Sequence, residues 1–318
     1  MMKQMKKKPS IRFVYRAGKQ SQGSTFMRCF QLSAMIRPYL EDRFDIDLLE
    51  MPDGNSPFKQ VLWARRQAPG TIFVFSKAAI NKLFASTVWW LRQRGSLICF
   101  DQVDNDHGVT SRLYADIQFC SSYAQLEKLR RHKRQNPRYK GEPMLLLHSY
   151  DLRLENFTPR KLDHARMVYF GDPRNAKLEA GIEKTMDVIE ISESDEMQAV
   201  LPRLAGYNLH YCIRNQDIAA PLSSKPFTKG FTAAACGANV IAHRRTEDVE
   251  EFLGSDYPFL VDGDTPEEVL SMIERAKHSY GDADWLRAQS IMQSVKTRVS
   301  PKALAQQMST ALKEFGIG

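Results

Sequence analysis

Two lysines, Lys225 and Lys229, stand four residues apart in the stretch SSKPFTKGFTAAACGANVIAHRR, residues 223 to 245. The stretch reads as a helix start: Ser223 or Ser224 can cap it, and Pro226 suits its first turn. Ala233, Ala234 and Ala235 continue it, and Gly237 is placed to end it. On that reading both lysines project from one face beside the helix N-terminus. The helix dipole and the free first-turn amides favour an anion there and disfavour a cation. A diphosphate held between the lysines and the helix end would reconcile the two. The plainer alternative is that both side chains bend into water, at a penalty of roughly a few tenths of a kcal/mol.

Other residues could act as acid, base or cation. The stretch DQVDNDH packs Asp101, Asp104, Asp106 and His107 just past a predicted strand end. A carboxylate or imidazole there could take a proton from a reacting hydroxyl, with Asp104 the favoured base and Asp106 and His107 behind it. A polar loop whose aspartates cap a turn is the competing reading. Arg174 and Arg214 follow predicted strands and are secondary cations for an anion site, or solvated surface arginines. AGKQSQGSTFMR links the first strand to the first helix: Gly18 and Gly23 give flexibility, Ser24 or Thr25 could cap, and Lys19 and Arg28 add charge. Lys77 directly follows the strand-like TIFVFS. The GxGxxG fingerprint and the GxxxxGK[ST] loop are both absent, which removes nicotinamide binding and a P-loop as explanations.

The elements that must position these residues alternate along the chain. IRFVY (11–15), DIDLLEM (45–51), TIFVFS (71–76), SLICFD (96–101) and IQFCSS (117–122) read as strands. Helices are predicted between them, over Ser24 to Leu40, Pro57 to Gln67 and Ile80 to Arg94. The rhythm pauses over residues 130 to 165, which reads as an interdomain connection. It resumes with MVYFG (167–171), MDVIEIS (186–192), NLHYCI (208–213), NVIAH (239–243) and PFLV (258–261). From Thr265 onward the chain reads as helix, with Thr265 and Ser300 each followed by proline at a helix start. Helix alternating with strand predicts parallel sheets with crossover helices, whose ligands collect beyond the carboxyl ends of the strands.

The order strand, loop, helix, Gly and strand over NLHYCIRNQDIAAPLSSKPFTKGFTAAACGANVIAH resembles the donor-binding region of glycosyltransferases of the GT-B fold. There a run like K-P-x-x-K, a small-residue helix and C-G-x-x-V/I bind the diphosphate of a nucleotide sugar. MVYFGDPRN looks like the first C-terminal strand of that fold and its glycine turn, and TIFVFSKAAINKLF with RGSLICFDQVDND looks like its N-domain unit. The resemblance implies an α/β chain of two Rossmann-like domains facing a central cleft, with the C-terminal helices returning to the N-domain. The implied domains are 1–150 on the acceptor side, 151–300 for the donor, and a closing helix over 301–318. It also implies a donor site drawn from Gly171, Arg174, Arg214, Ser223, Ser224, Lys225, Phe227, Thr228, Lys229 and Thr232. Lys19, Gly23, Ser24 and Lys77 would face the acceptor. No cofactor or metal is implied, because the fold generally neutralises the leaving diphosphate without one. One departure stands out: many retaining members carry two glutamates eight residues apart, and the matching positions here are Ser224 and Thr232.

Charge separates the two halves. Residues 1 to 150 hold 25 Lys and Arg against 12 Asp and Glu, a net +13, whereas residues 151 to 318 are net −5. The basic first half is led by KQMKKK and KLRRHKRQNPRYK. It suits ordinary solvation or peripheral contact with an anionic membrane carrying a lipid-linked acceptor. Nucleic acid ranks below these, because RNP strands, zinc spacing and GXXG loops are absent. Trp89 and Trp90 are adjacent on one predicted helix, so one of them should be peripheral. Five scattered cysteines without CxxC spacing suggest buried thiols and no zinc site of the usual kind. No stretch approaches 18 uninterrupted apolar residues, so no membrane span is expected. The expectation is a cytoplasmic glycosyltransferase of surface polysaccharide or glycoconjugate synthesis, with room for peripheral attachment to the inner membrane face. A non-catalytic scaffold of the same fold and a basic nucleic-acid-binding protein are the alternatives.

Overall fold

The computed structural model describes residues 8–104, 113, 115–179, 181–191, 197–215, 224–263 and 265–317. The chain divides into two compact units, one of residues 1–147 with 301–318 and one of residues 148–300. Asp106, His107 and Ser223 lie outside the described residues.

In the first unit the strands are β1 Ser10–Arg16, β2 Asp45–Met51, β3 Ile72–Ser76, β4 Leu97–Asp101, β5 Ile117–Cys120 and β6 Glu142–Leu145. They form one parallel sheet in the order β2-β1-β3-β4-β5-β6. β3 is buried at all five positions, which accounts for its unbroken apolar run: a central parallel strand is covered on both faces. The first crossover helix passes through a wide π turn, Phe26–Gln31, before continuing as Leu32–Leu40. The closing helix Pro301–Glu314 packs on Leu32–Leu40 and on β6.

The sequence-based reading differs from this unit in three places. The predicted connection over 130–165 contains the end of a helix, Tyr123–Gln135, and the strand β6. β6 is four residues long with Pro143 inside it, which an edge strand tolerates. The predicted helix over Ile80–Arg94 is two helices, Lys77–Ile80 and Ala85–Gln93. Ser24 and Thr25 do not cap: both lie inside the helix, and the cap position is Gln22, with no side-chain bond.

The second unit holds β7 Met167–Phe170, β8 Asp187–Ile189, β9 Leu209–Tyr211, β10 Asn239–His243 and β11 Leu260–Val261. They form a parallel sheet in the order β11-β10-β9-β7-β8. From β7 the chain moves to β8 on one side and then to β9, β10 and β11 on the other. The order therefore reverses between β7 and β9, and ligands collect at the carboxyl edge of such a reversal. The helix Thr228–Ala235 packs on the helix Ala283–Arg298 through its small residues. Gly237 follows it at φ 67°, a left-handed turn in which glycine carries no steric penalty. The helix Pro266–His278 opens with a capping box between Thr265 and Glu268. All five cysteines are buried free thiols.

Candidate anion-binding site

The helix bearing Lys229 begins at Thr228, not at Ser223 or Ser224, and its cap residue is Phe227, which makes no side-chain cap bond. Arg214 gives the reason. Its Nη2 donates to Pro226 O at 2.6 Å and its Nη1 to Lys225 O at 3.4 Å, which holds Lys225 and Pro226 out of the helix. The carbonyl of Pro226 also accepts the amide of Thr228 at 2.8 Å. Phe227 then lays its ring over Gly230, where a Cβ would meet the ring at 2.0 Å. Lys225 therefore sits in the segment leading to the helix, and only Lys229 belongs to the first turn. The expected pair of lysines on one helical face is not formed.

Lys229 turns back toward β7. Its Nζ donates to Phe170 O at 2.7 Å and lies 4.4 Å from the centroid of the Tyr169 ring. Gly171 makes room for it: the backbone there has φ 132°, and a Cβ would stand 2.5 Å from Nζ. Lys229 forms no salt bridge among the described residues. Burial depresses its pKa to about 8, with nearby Arg214 adding to the effect. The amine is thus a partly desolvated cation held by one carbonyl and one ring face. Its neighbour His210 on β9 is buried, and its Nε2 has no partner among the described residues. Burial, and then the charge of Lys229, lower the His210 pKa to about 3, so it stays neutral.

A cavity of about 520 Å³ opens at the carboxyl edge of this sheet, in the size range of small-molecule sites. Its wall comes from the loops after four strands. Arg174, Lys177 and Glu179 follow β7, Arg214 and Asn215 follow β9, His243 ends β10, and Gly263 follows β11. Arg174 is 85% exposed and is held by Asp172, with bonds of 3.0 and 2.8 Å from Nε and Nη2 to the two carboxylate oxygens. Arg174 in turn keeps the Asp172 carboxyl below the usual carboxylate range. Arg214 pairs with Glu247 at 3.5 Å, and Lys177 with Glu179 at 3.5 Å.

Of the ten residues expected at the donor, Arg174 and Arg214 line this cavity, and Gly171 and Lys229 form the turn that leads into its wall. Phe227, Thr228 and Lys225 shape the segment that Arg214 clamps. Ser224 and Thr232 are buried, and Thr232 Oγ1 is spent on Thr228 O at 3.1 Å. Sequence reasoning missed Lys177, Glu179, Asn215 and His243. Lys177 carried a usable signal, three residues after Arg174 on the same strand-following loop.

At the carboxyl edge of the first sheet the charged residues face one another. Lys77 Nζ donates to Asp104 Oδ1 at 2.6 Å, which joins two expected site residues. Arg28 and Asp101, read as loop charge and base-cluster member, instead form a buried pair at 2.8 Å, exposed by only 2% and 1%. Arg28 also donates to Leu147 O at 2.6 Å and Leu146 O at 2.8 Å. Burial raises the Asp101 pKa against the pull of Arg28. Val103, between Asp101 and Asp104, has φ 60°, a conformation that a β-branched residue adopts only where its surroundings impose it. Lys19 and Gly23 are exposed at the start of the first crossover, Ser24 is half-buried, and the short helix Gly23–Thr25 packs against the helix Lys77–Ile80.

No protein-family model and no curated protein matches this sequence. Solved structures do match along nearly the whole chain. A sucrose-phosphate synthase from Thermosynechococcus elongatus aligns with a TM-score of 0.60 at 13% identity, covering 97% of this chain and 99% of its own. Anabaena HepE in complex with UDP and glucose aligns with a TM-score of 0.58 at 12% identity, covering 96% and 100%. An α,α-trehalose-phosphate synthase (UDP-forming) from Burkholderia vietnamiensis aligns with a TM-score of 0.60 at 8% identity, covering 97% and 100%. The chain has the α/β fold of the GT-B glycosyltransferases.

Proposed function

We propose that this chain is a glycosyltransferase that moves a sugar from a nucleotide-sugar donor to a hydroxyl of a glycan or lipid-linked acceptor. One observation carries the reading. The cavity at the strand reversal of the second sheet is bordered by Arg174, Lys177 and Arg214, and the turn entering its wall holds Lys229, a cation without a carboxylate partner among the described residues. Arg174, Lys177 and Arg214 each have a carboxylate neighbour; a diphosphate supplies the anion that Lys229 lacks, and the cavity volume leaves space for a nucleoside.

In that reaction the bond between the sugar's anomeric carbon and the diphosphate oxygen breaks, and the acceptor oxygen bonds to that carbon. Negative charge grows on the departing diphosphate. In this reading Lys229, Arg174 and the first-turn amides of Thr228–Ala235 stabilise that charge, which lowers the barrier. The reading uses these cations and calls on no metal. The acceptor's proton goes to a base, for which Asp104 is our candidate, with Lys77 fixing its carboxylate. Ser224 and Thr232 leave the donor ribose without glutamate partners on this helix, and Glu179 and Asn215 of the cavity wall are our candidates to replace them. HepE is described with UDP, so UDP is the first nucleotide to test.

A second reading, a donor-binding homologue without turnover, rests on those same two positions. The test is calorimetric titration of the full chain with UDP, GDP, CMP and dTDP, followed by release of sugar from the matching donors. Micromolar binding of one nucleotide with sugar release supports the transferase. Binding without release under any acceptor supports the second reading, and absence of binding by all four overturns both.

A further inference from the structure

The first unit carries a charged face that its candidate site does not use. Residues 54 to 100 contain seven lysines and arginines and no aspartate or glutamate. This acid-free segment includes the helices Pro57–Arg65 and Ala85–Gln93, which pack on each other. Both belong to crossovers that run in the same direction across the sheet, β2 to β3 and β3 to β4. Right-handed connections therefore put them on one face, opposite the crossover helix Leu32–Leu40.

Three things distinguish this face. Two of the five large exposed apolar side chains among the described residues are here: Phe58 is 70% exposed and Trp89 53% exposed. Trp89 meets Trp90 edge-on at 5.0 Å, and Trp90 packs inward with the guanidinium of Arg65 lying 5.0 Å from its ring. Three of the neighbouring cations form no ion pair among the described residues. Lys77 and Arg92 pair with Asp104 and Asp116, whereas Lys59, Arg66 and Lys82 are exposed and form no salt bridge among the described residues.

We infer that this face docks on an anionic lipid surface, with Phe58 and Trp89 entering the headgroup–acyl boundary and Lys59, Arg66 and Lys82 meeting the lipid charge. Exposed aromatics on the outer side of helices, with cations from an acid-free segment around them and Asp53 close to Lys82, match the chemistry of an interfacial helix pair. The sequence pointed to residues 3–8 and 128–140 for such contact. Here the basic segment that also presents aromatic side chains is 57–93. Single-stranded nucleic acid also attracts cations and aromatics, but its binding sites set the aromatics in a groove that tracks the backbone. The inference does not rest on the glycosyl-transfer reading, since neither helix contributes to the cavity of the second unit.

The test uses the full chain and sedimentation with vesicles of phosphatidylcholine containing about 30 mol % phosphatidylglycerol, against pure phosphatidylcholine. The native chain should bind the anionic vesicles at least tenfold better than the neutral ones, and lose binding as salt rises from about 0.05 to 0.3 M. Phe58→Ser with Trp89→Ser, and separately Lys59→Glu with Lys82→Glu, should each lower binding about tenfold. Nucleotide titration of the same variants should match the native chain, which separates failure of this inference from failure of the enzymatic one. Equal binding to both vesicles overturns the inference. So does anionic binding that both double variants retain, or binding of random-sequence RNA with none to vesicles.

Discussion

The carboxyl edges of the two sheets carry similar residue types and use them differently. At the edge of the first sheet the cations have carboxylates: Arg28 is paired with Asp101 in the interior and Lys77 with Asp104 near the surface. At the edge of the second sheet Arg174, Lys177 and Arg214 border a cavity and pair with Asp172, Glu179 and Glu247, whereas Lys229 has a carbonyl and a ring face for company but no acid among the described residues. Matched charges hold a structure in place. Lys229, left with a carbonyl and a ring face, is the cation on which the proposed anion site rests.

The largest expected effect is on the matched side. Asp101→Asn leaves Arg28 buried with only the carbonyls of Leu146 and Leu147, and should lower unfolding stability by about 3 kcal/mol. Denaturant unfolding checks this, and nucleotide affinity should stay within about twofold of the native chain at temperatures where the variant is folded. A large loss of affinity instead would mean that the two edges are not as independent as the contrast requires.

A smaller effect belongs to the unmatched side. Gly171→Ala puts a Cβ where Lys229 Nζ lies and demands φ 132° of an L-residue, so it should lower stability by about 1 kcal/mol. Displacing the amine should also weaken nucleotide binding about tenfold, as a titration would register. Unchanged affinity would detach Lys229 from the ligand.

How much of this was legible in the sequence depends on whether the cause was local. β3 could be read from IFVFS, and the helix end at Gly237 from the glycine itself, because both rest on residues adjacent in the chain. β6 was not legible: it is four residues with a proline, and only its position at a sheet edge makes it a strand. SSKP carries every local sign of a helix start, yet the helix begins later because Arg214, eleven residues before Lys225, holds the backbone extended. Lys229 was identified correctly as a first-turn cation, but its turn toward β7 depends on Gly171, almost 60 residues earlier. The cavity was legible only in part for the same reason: Arg174 and Arg214 were expected, but Lys177, Glu179, Asn215 and His243 join them only because the wall is assembled from loops after β7, β9, β10 and β11. Arg28 and Asp101 were read as open charges because nothing near them in sequence shows that they are buried together.

The central claim is that Lys229 waits for an anion, and proton uptake tests it most directly. In the nucleotide-free chain its pKa lies near 8, against 10.5 for an unperturbed lysine. Between those values the unfolded chain binds more protons, so this residue makes stability rise with pH there. A bound diphosphate favours the charged amine and raises the pKa again, so binding must draw in a proton. Calorimetry of UDP binding in buffers of different ionisation enthalpy should find uptake of about one tenth of a proton at pH 7, one half at pH 8 and nine tenths at pH 9. Lys229→Met should abolish the uptake and weaken binding. Tight binding with no uptake at pH 8, or uptake that survives Lys229→Met, would contradict the claim.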